Sequence, residues 1–192
     1  MKEKTYMFDL MDTLVWSPNL MKLFASENAE LLANFKQNPK QYQKEAAQVA
    51  DSYLADGRVE IRLYDETLNC LRNLKQKGKI AILSNGTKDS VRRIMSSVGI
   101  DSIIDEALSL DNFGGKDKSD SELYPLVTDY LADKGLYVAT YSDDKDKYCL
   151  AAANSGVIPR VFQVSRSTPL AESKGKYTVI KSLEEVLWST KK

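Results

Sequence analysis

An α/β fold with a doubly wound, mostly parallel sheet and a small helical insertion is the architecture this sequence predicts. Three observations carry it. From Asp65 onward, short β-branched and aromatic runs alternate with helical patterns of about 10 to 15 residues, which is the mark of βαβ units. Polar residues end three of these runs along the chain: Asp9, then Ser84 with Asn85, then Asp143 with Asp144. A stretch of purely helical periodicity, Trp16 to Ile61, interrupts the alternation just after the first run.

The first run, Thr5 to Phe8, joins a β-branched residue to two aromatic ones and predicts a short buried strand that ends at Asp9. Trp16 to Pro18 reads as a hinge. Leu20, Leu23, Phe24, Leu31 and Leu32 then give one amphipathic helix. Pro39 opens a second, in which Tyr42, Ala46, Val49 and Tyr53 share a face, and Gly57 ends it. Asp65 is placed to cap a helix that Gly78 closes, and Lys79 to Leu83 (KIAIL) is a buried strand ending in Ser84, Asn85 and Gly86. Thr87 starts a helix that stops at Gly99. A short strand near Ala107 to Leu110 leads into the polar loop DNFGGKDKSD and a helix from Ser121 to Asp133, where Pro125 is tolerable at the end of the first turn. Tyr137 to Tyr141 (YVATY) is the next strand, followed by an Ala-rich helix around Leu150 to Asn154 that Gly156 closes. Arg160 to Val164 and Tyr177 to Ile180 are short strands, and Ser182 caps a final helix.

At 192 residues the chain has room for one well-buried core and a small appendage rather than two independent domains. The expected division is a core from residues 1–15 and 62–192 and a helical cap from 16–61. Lysine plus arginine and aspartate plus glutamate each number 27, so no overall field draws the protein to nucleic acid or to an acidic membrane, and a small molecule is the expected partner. The absence of histidine removes serine-type triads, histidine-bound zinc and imidazole acid–base catalysis. Carboxylates, lysines, hydroxyls or a bound ion must then carry any catalysis. Cys70 and Cys149 form no CxxC pair, and neither a signal peptide nor an apolar run of about 18 residues accompanies them. Two buried thiols in a reducing cytoplasm are the expectation.

Parallel strands present their carboxyl ends along one edge, where α/β sheets bind ligands, so Asp9, Ser84 and Asp143 are expected to converge there. Their order and surroundings resemble the motifs of the haloacid dehalogenase-like hydrolase superfamily. In KTYMFDLMDTLV, Asp9 matches the nucleophile and Thr13 the later threonine. Ser84 in LSNG matches the second motif, Lys118 in KSDSELY the third, and SDD followed by Ala151, Ala152 and Gly156 the fourth. The resemblance covers the chain outside the cap and implies a Rossmann-like core. It implies catalytic roles for Asp9, Ser84 and Lys118, substrate contacts for Thr13, Ser84, Asn85 and Lys118, and a Mg²⁺ site built from Asp9, the carbonyl of Met11, Asp143 and Asp144.

The sequence departs from that pattern in two places. Met11 stands where most phosphatases of the superfamily carry a second Asp as general acid and base, and where the dehalogenase branch carries an uncharged residue. Tyr148 stands where a later acid belongs, with Asp146 as a neighbouring substitute. Asp12 does not fill the gap on sequence grounds, because side chains alternate along an extended chain and a residue three places on faces away from Asp9. Lys116 is an alternative to Lys118. Arg58 and Arg62 belong to a solvated face or reach a substrate anion.

An Asp is anionic at neutral pH without help and splits hydrolysis into ester formation and ester cleavage. The leading expectation is therefore a Mg²⁺-dependent phosphatase of a small phosphorylated metabolite, acting through an aspartyl-phosphate. The alternative is 2-haloacid dehalogenase chemistry, favoured by Met11 but not matched by Lys145 and Tyr148 in the fourth motif. A third possibility is a non-catalytic member that binds a phosphorylated ligand or a partner.

Overall fold

Residues 2–166 and 176–189 are described in the computed structural model of the protein. Its strands are β1 (Glu3–Phe8), β2 (Val15–Trp16), β3 (Arg62–Leu63), β4 (Lys79–Ser84), β5 (Glu106–Ser109), β6 (Leu136–Asp143), β7 (Val161–Val164) and β8 (Thr178–Ile180). The helices are α1 (Leu20–Glu27), α2 (Ala29–Gln37), α3 (Pro39–Ala55), α4 (Thr67–Lys75), α5 (Lys88–Ser97), α6 (Leu123–Asp133), α7 (Asp146–Ser155) and α8 (Glu184–Ser189).

Six of the strands form one parallel sheet in the order β5-β4-β1-β6-β7-β8. Period-two alternation explains why both faces are covered. Tyr6, Phe8, Ile80 and Ile82 point to one face and pack with Leu71 and Leu74 of α4, Val91 and Ile94 of α5 and Val186 of α8. Met7, Ala81 and Leu83 point to the other, against Leu123, Val127 and Leu131 of α6 and Cys149 and Ala152 of α7. This is a Rossmann-like, doubly wound core.

The strand order reverses at β1. The chain leaves β1 for β4 on one side and later enters β6 on the other, so β1 is the switch point where such sheets leave a crevice at the carboxyl edge. Phe8 is in register with Ile82 and with Ser142, which sets the ends of the three central strands side by side.

Gly78 stands at the start of β4 for a spatial reason beyond ending a helix. A Cβ built there would lie 2.2 Å from the carbonyl oxygen of Lys4, so the backbones of β1 and the turn before β4 approach too closely for any side chain.

Three local expectations are corrected. The helix expected from Leu20 through Leu32 is two helices, because Asn28 leaves the helical region (φ −138°, ψ 47°) and its side chain donates to the Tyr53 hydroxyl at 2.6 Å. Trp16 is not a free hinge: β2 pairs antiparallel with β3, and Trp16 stacks on Tyr64 while Arg62 lies over the Trp16 ring. Together α1, α2 and α3 bury Phe24, Leu31 and Tyr53 in a cluster of their own. Asp65 also lies outside α4, which begins at Thr67 with the Thr67 hydroxyl donating to the Leu14 carbonyl at 2.8 Å. Among the described residues, no helix is long and apolar enough to cross a membrane.

Candidate active site

Asp9 is the first residue beyond β1 and is fixed from both sides. Its backbone N–H donates to the Ser142 carbonyl at 2.8 Å, continuing the ladder to β6, and the Thr13 hydroxyl donates to Oδ2 at 3.2 Å. Thr13 thus holds the carboxylate and is not among the residues that face the adjacent cavity. On the other oxygen, Oδ1 accepts from the Lys118 ammonium at 2.5 Å.

Lys118 is only 1% exposed, a burial that a lysine tolerates only when its charge is paired. Besides Asp9 it donates to Asp143 Oδ2 at 2.8 Å and lies over the Tyr148 ring. Its backbone is tied as well, the N–H to Asn85 Oδ1 at 3.2 Å and the carbonyl to the Tyr124 hydroxyl at 2.8 Å. Lys116, the alternative, points outward and pairs with Asp120 and Glu122. Arg58 and Arg62 pair with Glu27 and Glu60 on the surface and do not reach the cavity.

Asp143 is the last residue of β6 and fully buried. Its Oδ2 also accepts the Tyr141 hydroxyl, and its Oδ1 accepts the Lys145 backbone N–H at 2.9 Å. Asp144 faces the cavity and pairs with the Lys145 ammonium at 2.6 Å. Asp146 does not replace the missing acid, since it accepts the Tyr177 hydroxyl at the start of α7 and does not face the cavity.

Ser84 closes β4, and its Oγ accepts the Gly86 N–H at 3.1 Å. Thr87 caps α5 by accepting the Ser90 N–H, so the positive end of that helix dipole lies beside the Ser84–Gly86 turn. The side-chain amide of Asn85 donates to Asp117 Oδ2 and to the Tyr148 hydroxyl, both at 2.8 Å. Gln43 of α3 donates to the same Asp117 oxygen at 2.9 Å, and the Thr87 hydroxyl donates to Asp51 of α3 at 2.6 Å. Two hydrogen bonds therefore connect α3 to the edge of the sheet.

The expectation about Asp12 is overturned. Asp12 has φ +63° and lines the same cavity as Asp9, because the chain turns after β1 instead of continuing extended, so strand alternation no longer governs it. Its carboxylate lies 3.6 Å from the Lys145 ammonium, and its carbonyl accepts from Arg166 at 3.0 Å.

These groups form the floor of a cavity of about 230 Å³, with Met11, Ser84, Asn85, Asp144 and Tyr148 beside Asp9 and Lys118. Burial, opposed by Lys118 and reinforced by Asp143 and Asp144, raises the Asp9 carboxyl to about 7. Burial likewise raises Asp144 to about 6. Lys118 moves the other way from a buried amine: burial disfavours its charge, but Asp143 and Asp9 outweigh this and hold it protonated. Both thiols are buried, Cys70 pushed up to about 12 by burial and Cys149 donating to the Asp143 carbonyl at 3.5 Å from beneath the site.

The donor set suits a hard cation. Carboxylate oxygens of Asp9, Asp143 and Asp144 come within 4.8 Å of one another. Asp9, Asp12, Asp143 and Asp144 bring four carboxylates against the two ammonium groups of Lys118 and Lys145. That excess of negative charge is what a divalent cation would balance.

A family model described as haloacid dehalogenase-like hydrolase matches residues 10–144. Among solved structures, a dehalogenase determined with an intermediate complex is 18% identical, with a TM-score of 0.73 and coverage of 98% of this chain and 97% of that one. A HAD phosphatase from Thermococcus onnurineus is 15% identical, with a TM-score of 0.73 and 98% of each chain covered. A predicted phosphoglycolate phosphatase from Haemophilus somnus is 20% identical, with a TM-score of 0.69 and 97% of each chain covered. At these identities the likeness is one of fold, and it extends equally to dehalogenases and phosphatases. No curated protein sequence matches the chain.

Proposed function

The chain belongs to the haloacid dehalogenase-like hydrolases, and from that membership we propose that it is a Mg²⁺-dependent phosphatase of a small phosphorylated molecule. The observation that carries this reading is the charge balance around Asp9. Both candidate substrates, a phosphomonoester and a 2-haloacid, are anions. Without a metal, a haloacid carboxylate would enter a site where crowded carboxyls already push Asp9 up to about 7, and the two lining lysines are both engaged in ion pairs. A divalent cation removes that excess, and phosphoryl chemistry is the branch that uses one.

Asp9, the Met11 carbonyl, Asp143 and Asp144 would hold the ion, which would neutralise charge on the phosphoryl oxygens and keep Asp9 ionised. In the proposed reaction a carboxylate oxygen of Asp9 attacks phosphorus, and the bond from phosphorus to the ester oxygen breaks. The departing oxygen takes a proton from solvent, because Met11 has none to give. Water then cleaves the aspartyl-phosphate, which releases phosphate and restores Asp9. Lys118 and Thr13 hold the carboxylate plane throughout. Ser84, the Asn85 backbone and the start of α5 donate to phosphoryl oxygens. A cytoplasmic setting agrees with the two buried, unpaired thiols.

Met11 is the feature that favours the dehalogenase alternative, since an uncharged side chain lines the cavity where an acid would serve a phosphatase. A panel of phosphomonoesters and 2-haloacids, assayed with Mg²⁺ and with EDTA, separates the two. Phosphate release that EDTA abolishes, and that Asp9→Asn abolishes in a folded protein, is the expected result. Halide release indifferent to EDTA would overturn the proposal.

A further inference from the structure

We propose that the ester taken by this site carries an apolar leaving group with a single hydrogen-bonding oxygen, and no second anionic group; this rests on the phosphatase reading. The side of the cavity opposite Asp9 is built by Ala47, Ala50 and Leu54 of α3 and by Val59 and Ile61 behind it, and Val91 and Ile94 of α5 close the flank. An apolar wall of this kind stabilises a leaving group by removing its hydrocarbon from water and gives nothing to a charge.

The ionisable groups argue in the same direction. Among the residues lining the cavity, the cations are Lys118 and Lys145, and both already pair with carboxylates on the floor. The α3 side contributes Asp51, which repels a second anion and is itself occupied by the Thr87 hydroxyl at 2.6 Å. A substrate with a carboxylate or a second phosphate would be desolvated against that wall without a counter-charge.

Besides Asp51, one polar side chain stands in the wall, its oxygen almost closed off from solvent. Ser90 is 4% exposed, lines the cavity, and its hydroxyl has no hydrogen-bond partner. A buried hydroxyl left unpaired is costly, and a neutral oxygen on the leaving group would satisfy it. The space also continues. A second cavity of about 320 Å³ shares Leu20, Ala47, Asn85 and Tyr148 with the first and adds Phe24, Leu32 and Phe35, so a longer chain has apolar surface to follow. Lys147, the cation of that second space, is exposed and lies over the Tyr148 ring.

The test is a substrate series on the full chain with saturating Mg²⁺. It comprises n-alkyl phosphates from propyl to hexyl, a hydroxyalkyl phosphate and phosphoglycolate. The inference expects kcat/KM to rise about fourfold for each added methylene. It expects phosphoglycolate to fall at least about tenfold below the alkyl ester of similar length, as an uncompensated anion should. Ser90→Ala should lower turnover of the hydroxyalkyl ester about tenfold relative to the alkyl esters, the size of one lost hydrogen bond. A flat alkyl series, a preference for phosphoglycolate, or equal effects of Ser90→Ala on all esters would overturn the inference and leave the phosphatase reading standing. No turnover of any ester would overturn both, so the two failures are distinguishable.

Discussion

Lys118 and Asp9 form an ion pair at 2.5 Å, with the lysine 1% and the aspartate 5% exposed. The same ammonium reaches Asp143 at 2.8 Å, so one buried cation separates two carboxylates. Removing it leaves both uncompensated. Lys118→Met should cost roughly 3 to 5 kcal/mol of stability at neutral pH, read from the shift in urea midpoint at constant slope. The variant should also gain stability as pH falls, because its buried carboxylates take up protons in the folded state at a pH where the unfolded chain does not. A loss below about 1 kcal/mol, the size of an exposed pair, would show that the pair does not hold the folded state together.

On the proposed phosphatase reading, Met11 leaves the departing oxygen without an acid at that position. General acid catalysis supplies roughly 10² to 10⁴ in rate, and Met11 cannot provide it. Met11→Asp should raise turnover of alkyl phosphates, which need a proton on the leaving oxygen, more than that of nitrophenyl phosphate, which does not. The sign of the difference is the measurement, since metal affinity changes both classes together. Equal or falling rates on both would mean that another group, with Asp12 the nearest candidate in the cavity, already donates.

Asp12 holds a left-handed backbone conformation, with φ +63°. Its ion pair with Lys145, at 3.6 Å between half-exposed side chains, contributes little. Asp12→Gly should therefore stabilise the protein, while Asp12→Ala, which loses the same carboxylate but keeps a Cβ, should be less stable than the glycine variant by roughly 1 kcal/mol. Paired urea denaturation of the two variants isolates the backbone effect, and equal midpoints would refute it.

Gly78→Ala would place a methyl 2.2 Å from the Lys4 carbonyl oxygen. The contact is with backbone in the middle of the sheet, so relief requires moving β1 itself. We expect a loss of about 1 to 3 kcal/mol, the range for overpacked sites. Thermal unfolding that matches wild type would contradict the approach of these two segments.

The core was legible because two periodicities dominate it. Runs such as TYMF and KIAIL bury alternate residues on both faces, and their polar ends mark one edge, which is why Asp9, Ser84 and Asp143 could be placed together from the chain alone. Lys118 could be separated from Lys116 only by the resemblance, and in space it is the one that reaches Asp9. The failures share a cause. Asp12 was misplaced because the alternation rule was carried past the end of a strand. Asn28 does not show as a helix break because Phe24 before it and Leu31 after it keep the helical spacing. The pairing of β2 with β3 spans two residues per strand, too few for any period to show. The tyrosines that buttress the site, Tyr141 on Asp143 and Tyr148 beneath Lys118, lie on elements whose hydrophobic pattern alone accounts for an aromatic residue there.

That two-residue pairing has a consequence for how such a protein can change. Val15 and Leu63 are register partners in a two-stranded ribbon separate from the six-stranded sheet, so the segment carrying α3 begins and ends at one point, like a loop drawn shut at its neck. The free energy of closing a flexible loop grows only with the logarithm of its length, about 0.6 kcal/mol per doubling. A longer, shorter or differently lined segment could therefore replace the one between Val15 and Leu63 at small thermodynamic cost, while Asp9, Ser84, Lys118 and Asp143 stay where the strands put them. On the proposed reading, substrate choice and reaction chemistry can then vary separately within one chain.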